Sequence, residues 1–245
     1  MQVKGKNVLV TGANGGIGST FVKELLQRGA SKVYAAARNK DSLEHLKQLD
    51  PERVVAVALN ITDAAQIADA AGTCSDVQIL INNAGVNRGM WLTAPSGLEA
   101  ARDEMEVNFF GTLAMCRAFA PIITANGGGI IASVCSLLGL VNMPAIGTYC
   151  ASKAAEHSLI QGLRGELAPK GIKVIGIYPG QVDTKMTEGA DGPKAAPEQV
   201  VTAILDELES GAEEIFPDAM SQEVHTMLLA DPGQVEKEFA KMIPA

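Results

Sequence analysis

Short runs rich in valine, isoleucine and alanine alternate along this chain with longer amphipathic stretches. That alternation restricts the fold more than any other feature, because it is the pattern of a parallel sheet with helices on both faces. The strand candidates are residues 7–10, 32–37, 54–58, 79–81, 129–133, 173–177 and 214–216. Helices are predicted between them at 17–28, 41–49, 63–71, 98–123, 148–168 and 197–209. Asp63 after Thr62 is a plausible helix entry, and Pro197 suits a first helical turn. Nothing repeats at a fixed period and no low-complexity linker divides the chain. With 245 residues, of which 47% are hydrophobic, one sizeable domain over 1–245 is expected. Residues 184–196 hold three glycines or prolines and read as a flexible loop rather than a domain boundary, and 217–245 as a C-terminal helical extension broken at Asp231, Pro232 and Gly233.

Charge and cysteine usage exclude several classes. A formal net charge of -8 without a basic cluster disfavours nucleic acid as a partner. The first apolar run is only a few residues long and nothing later approaches a membrane-spanning length of about 20, so a soluble, cytoplasmic protein is expected. Cys74, Cys116, Cys135 and Cys150 form no C-x-x-C pair and His45, His157 and His225 lie far apart. No metal site or disulfide framework is therefore expected, and the cysteines read as small buried apolar residues.

The segment VLVTGANGGIG sets Gly12, Gly16 and Gly18 between the first strand and the first helix. A dinucleotide pyrophosphate needs close backbone approach and the positive end of a helix dipole at that place. By itself such a loop also fits an ordinary strand-to-helix turn, but its context in successive βα units favours the phosphate cradle. A second constellation lies downstream, where Tyr149 and Lys153 stand four apart in TYCASKAAEHSL and Ser136 precedes them in ASVCSLLG. On a helix, about 6 Å of rise puts phenol and ammonium on one face, where the cation favours phenolate. A tyrosine near pKa 10 needs such a charge to move protons at neutral pH. Alone, the spacing also fits a surface contact.

Together, TGANGGIG, NNAG at 82–85, Asn108 in MEVNFFGT, Ser136, Tyr149-x-x-x-Lys153 and PGQVDT at 179–184 resemble the short, single-domain branch of the short-chain dehydrogenase/reductase family. The resemblance implies a doubly wound, Rossmann-type parallel sheet of about seven strands. It also implies reversible hydride transfer between a carbonyl and an alcohol, with a nicotinamide dinucleotide as cofactor. Carried over position by position, it makes Tyr149 the general acid/base. Lys153 lowers the phenol pKa and holds the nicotinamide ribose, Ser136 bonds the reacting oxygen, and Asn108 holds a water behind Lys153. The cofactor contacts it implies are Gly12, Asn14, Gly16, Ile17, Gly18, Arg38, Asn60, Ile61, Asn83, Ala84, Gly85, Tyr149, Lys153, Pro179, Gly180, Val182 and Thr184.

After the second strand the chain has Ala37 and Arg38 where NAD-preferring members commonly place a carboxylate. The Arg38 guanidinium suits a 2'-phosphate, so NADP(H) is expected, with NAD(H) still open because the glycine loop carries Gly15 rather than a second basic residue. Asn60 replaces the usual Asp after the third strand and keeps an acceptor for the adenine amino group. Met90, Trp91, Leu137, Leu138, Val141, Met143, Ile146 and Met186 outline an apolar wall suited to a small apolar carbonyl or alcohol. Val141 and Ile146 are expected to point into the core instead, and Arg88 leaves room for a carboxylate. Small residues at Ala151, Ala154 and Ala155 favour a homodimer, while EEIFPDAM in place of a terminal Asp-Gly-Gly strand puts a tetramer in doubt. The leading expectation is an NADPH-dependent carbonyl reductase. A cofactor-binding regulator or scaffold with little turnover, and an alcohol dehydrogenase working towards oxidation, remain alternatives.

Overall fold

Apolar residues at successive strand positions need a hydrophobic layer on each side of the sheet, and the molecule supplies both. The computed structural model describes residues 1–243. Strands β1 (Asn7–Thr11), β2 (Lys32–Ala37), β3 (Val54–Ala58), β4 (Ile79–Asn82), β5 (Gly129–Val134), β6 (Ile172–Ile177) and β7 (Glu214–Ile215) form one parallel sheet in the order β3-β2-β1-β4-β5-β6-β7. The helices are α1 (Gly16–Gln27), α2 (Glu44–Lys47), α3 (Ala64–Thr73), α4 (Gly97–Glu104), α5 (Thr112–Ala125), α6 (Gly147–Leu167), α7 (Pro197–Ser210), α8 (Ala219–Ala230) and α9 (Pro232–Phe239).

Adjacent strand side chains go to opposite layers, as the period of two requires. Val8, Val10, Ile79, Ile81 and Ile130 pack with Phe21, Leu25, Val200 and Ile204 of α1 and α7. Leu9, Leu80 and Ile131 pack with Ile67, Phe119, Ile160 and Leu163 of α3, α5 and α6. The chain order reverses at β1, which lies between β2 and β4. Such a reversal opens a crevice beyond the carboxyl ends of the strands.

Two expectations are corrected. Residues 41–49 are not one helix: the side chain of Asn39 accepts from Asp41 N at 2.9 Å and starts a 3-10 turn, Lys40–Leu43, before the four-residue α2. The helix expected over 98–123 widens to i→i+5 geometry across Met105–Gly111, between α4 and α5. The C-terminal extension is interrupted at Asp231, between α8 and α9, where Asp231 accepts from Gln234 N at 2.9 Å and Pro232 and Gly233 form the first turn of α9. The remaining residues expected in that extension, Pro244 and Ala245, lie outside the described residues.

The run Gly97–Ala125 does reach the length and apolar content of a membrane span, contrary to the expectation that nothing would. Its apolar residues Met115, Phe119 and Ile123 are wholly buried against the sheet, which accounts for the composition. The 184–196 loop is tied at its base, where Asp183 N donates to Ala195 O and Ala195 N to Gln181 O, both at 2.9 Å.

The α5 contact with the sheet should dominate stability. Replacing the fully buried Phe119 with alanine is expected to cost about 3–5 kcal/mol, read as a lower urea midpoint with unchanged slope.

Candidate active site

The turn from β1 to α1 is built for close backbone approach. Gly12 has φ 63°, in the left-handed region, and a Cβ there would lie 2.9 Å from Ala84 Cα. A Cβ on Gly18 would lie 2.2 Å from Gly12 O, so no other residue fits without moving the turn. Asn83 Nδ2 donates to Thr11 O at 3.0 Å and Gly12 O at 3.2 Å, while Thr11 Oγ1 accepts from Asn83 N at 3.0 Å and Ala84 N at 3.1 Å. The amides that open α1 follow Gly15, which caps the helix without any side-chain bond. They are left for an anion, as a phosphate cradle requires. Asn14 stands exposed at its rim and Ile17 packs under it.

The third wall comes from the strand β6 exit. Gly16 faces the Thr184 side chain, Pro179 O accepts from Leu137 N at 3.0 Å, and Val182 is buried. Gly180 N donates to the Asp218 carboxylate at 2.8 Å. Asp218 caps α8 through Ser221 N at 2.9 Å, so the C-terminal extension holds the loop that follows β6. Segments 11–18, 83–85 and 179–184 thus meet around one crevice, and their chemistry fits a dinucleotide.

On the far side of β1, Arg38 is exposed just after β2, next to the glycine turn that bonds β2 through Ala13 N and Ala36 O at 2.9 Å. Asn60 meets a local competitor: its side-chain oxygen accepts from Thr62 N at 3.3 Å and Thr62 Oγ1 at 3.1 Å, closing the turn into α3. The adenine acceptor expected at Asn60 is therefore also a turn acceptor. Ile61 is buried against the widened helix at Gly111.

Tyr149 and Lys153 lie on the first turns of α6, both buried, with the ammonium 5.9 Å from the phenol ring centre. Ser136 follows β5, and its Oγ accepts from Leu138 N at 3.1 Å. Burial pushes the Tyr149 phenol up, the Lys153 charge and the Ser136 hydroxyl pull it down, and the net position is above the ordinary value. Lys153 does lower the phenol pKa, and burial outweighs it. Lys153 Nζ donates to Val134 O at 3.0 Å and to Glu156 Oε2 at 2.6 Å. Asn108 sits in the widened helix segment, where its side chain bonds both backbone groups of Val86 and the Ser152 hydroxyl, each at 2.9 Å. These bonds use both amide donors of Asn108. Gly85 leaves room here, since a Cβ would stand 3.2 Å from Asn108 Oδ1 and 3.6 Å from Lys153 Nζ.

Of the apolar wall, Leu137 and Val141 are buried core residues. Ile146, expected in the core, is partly exposed with Met90, Trp91, Leu138 and Met143, and Met186 is exposed. All four cysteines are buried, Cys135 and Cys150 within bonds to Lys153 O and Met143 N. Sequence reasoning overlooked Thr11, Glu156 and Asp218. Asp218 carried a signal, an Asp three residues before a Ser at a helix start, and Glu156 another, its i,i+3 spacing from Lys153; Thr11 is recognisable only once the strands are aligned.

The chain matches the family model for short chain dehydrogenases over residues 6–194. It is 34% identical over 194 residues to an uncharacterised oxidoreductase of Staphylococcus epidermidis, covering 78% of this chain and 84% of that one. Among solved structures, a short chain dehydrogenase from Burkholderia cenocepacia in complex with NADP is 44% identical, with TM-score 0.92 over 98% of this chain and 99% of that one. A short-chain dehydrogenase from Sphingobium yanoikuyae in complex with NADPH is 25% identical, with TM-score 0.77 over 92% and 96% of the two chains. With the glycine turn, the Tyr-x-x-x-Lys helix and these likenesses in agreement, the protein belongs to the short-chain dehydrogenase family of oxidoreductases.

Proposed function

We propose that the protein is an NADPH-dependent reductase of a small apolar ketone or aldehyde. The observation that carries this reading is the buried Tyr149–Lys153 pair facing the same crevice as the glycine turn. Gly12, Asn14, Gly16, Ile17 and Gly18 would hold the pyrophosphate, Asn60 and Ile61 the adenine, and Asn83, Ala84 and Gly85 the adjoining ribose. Pro179, Gly180, Val182 and Thr184 would hold the carboxamide end. When bound, NADPH supplies the hydride that converts carbonyl to alcohol.

The remaining work falls to the chain. Tyr149 Oη gives its proton to the carbonyl oxygen and takes it back in the reverse direction. Ser136 Oγ bonds the same oxygen and stabilises its developing charge. Lys153 keeps the phenol ionisable and orients the ribose with the ammonium donor that Val134 and Glu156 leave unused. Asn108 fixes the Val86 backbone and, through Ser152, the turn that carries Tyr149.

Two neighbours in complex with NADP and NADPH support the cofactor, as does Arg38 beside the glycine turn without a carboxylate at Ala37. NAD(H) is a secondary cofactor in this reading. Met90, Trp91, Leu138, Met143 and Met186 favour an apolar substrate, with residues 184–196 as the segment that closes on it. Exposed Phe110 and Leu98, together with Ala151 and Ala154 on the outer face of α6, favour a homodimer. The assembly would work in the cytoplasm.

A panel of ketones, aldehydes and alcohols followed by nicotinamide absorbance tests the activity, and turnover with none of them would point to a cofactor-binding regulator. Tyr149→Phe should bind NADPH as before and lose about 10²–10⁴ in turnover; retained activity would assign the proton to another group. Arg38→Ala should raise the KM for NADPH by about tenfold or more and leave that for NADH unchanged. Because the raised phenol pKa keeps Tyr149 protonated at neutral pH, reduction should be level through neutrality and fall as alkaline pH ionises it. Oxidation should show the opposite limb.

A further inference from the structure

We propose that Glu156 is a positioning residue for Tyr149 and Lys153: its carboxylate holds the Lys153 ammonium against the Val134 carbonyl and offsets part of the positive charge acting on the phenol. The inference rests on the assignment of Tyr149 as proton donor. Glu156 stands one turn beyond Lys153 on α6, and the two side chains are 2% and 5% exposed. Two of the three ammonium donors are committed, to Glu156 Oε2 at 2.6 Å and Val134 O at 3.0 Å. Stability does not account for a carboxylate here, since a buried ion pair is on balance no better than apolar packing.

The other titratable groups around the pair are thiols and a phenol. Cys135 follows β5, Cys116 comes from α5 and Tyr178 follows β6; burial raises all three, Cys116 to about 12, so they stay neutral. His157 turns away from the pair, with Nδ1 at 2.8 Å from the Tyr178 hydroxyl. Among the described residues Glu156 is the carboxylate that acts on Tyr149. Burial opposes the Lys153 charge, but Glu156 and Tyr149 outweigh it and raise the lysine pKa. The lysine therefore remains an ammonium; burial raises the Glu156 carboxyl while the ammonium 2.6 Å away draws it back down, and the pair offsets part of the positive charge beside the phenol. Burial acts most strongly on the phenol and Glu156 adds to it, so the tyrosine waits in its acid form, the form that protonates a carbonyl.

Phenolate absorbance of the full-length protein tests this without any turnover, so its failure is separate from failure of the reductase assignment. The chain has three tyrosines, Tyr34, Tyr149 and Tyr178, and subtracting the Tyr149→Phe titration isolates the one in question. Glu156→Gln keeps an oxygen for the ammonium and removes only the charge. It should lower the Tyr149 midpoint by about one pH unit and shift the alkaline limb of kcat/KM in step. An unmoved or raised midpoint overturns the proposal. If Glu156→Gln does not fold, the unaltered protein decides: Tyr149 must titrate above the ordinary tyrosine value, and a midpoint well below it overturns the proposal equally.

Discussion

The site depends on the contact between the β1–α1 turn and the exit of β4, two segments whose backbones approach closely enough for the Thr11 and Asn83 side chains to bond across. Gly12 lies under Ala84, and Gly18 lies under Gly12 O. Thr11 and Asn83 bond each other's backbones across the gap. Backbone amides and carbonyls paired in this way cannot drift apart without leaving buried polar groups unsatisfied. The crevice at the reversal of strand order is therefore held open at a fixed width, with the uncapped start of α1 along one side.

The second half of the site is a problem of buried charge. Lys153 lies among Val134, Cys135 and Tyr149, where an ammonium without a partner would be strongly disfavoured. Glu156 supplies that partner from the same helix. The widened turn at Met105–Gly111 lets Asn108 reach Val86 and Ser152, which ties the exit of β4 to the helix carrying Tyr149. Wider turns of this type recur at functional sites because they redirect side chains out of the regular helical ladder. The strand β6 exit closes the remaining side, braced by Asp218 at the start of α8. Cradle, acid/base pair and C-terminal extension thus form one connected frame.

Much of this was legible in the residues. The strand runs come out within a residue or so at each end, because apolar side chains on both sheet faces leave an uninterrupted signature. Asp63 marked the entry of α3, and the segments carrying Gly12, Asn83, Tyr149 and Pro179 do converge. The failures have local causes. At 41–49 the Asn39 side chain competes with the helix for the backbone. Val141 and Ile146 were both placed inside, and only Val141 is buried, since periodicity does not say how a loop turns over a sheet edge.

What the sequence by itself determined is the layered parallel sheet, the glycine turn and the Tyr149–Lys153 spacing, because each is set by near neighbours along the chain. The balance of charge around Tyr149 was decided only by the tertiary structure. The pull of Lys153 on the phenol is read from a spacing of four, but burial and the Glu156 carboxylate oppose it, and together they reverse the net direction. The same holds for Asp218 on Gly180 and Asn108 on Val86. Solvent exclusion and contacts between residues distant in the chain exist only once the strands are in register, and they fix how a recognisable residue behaves.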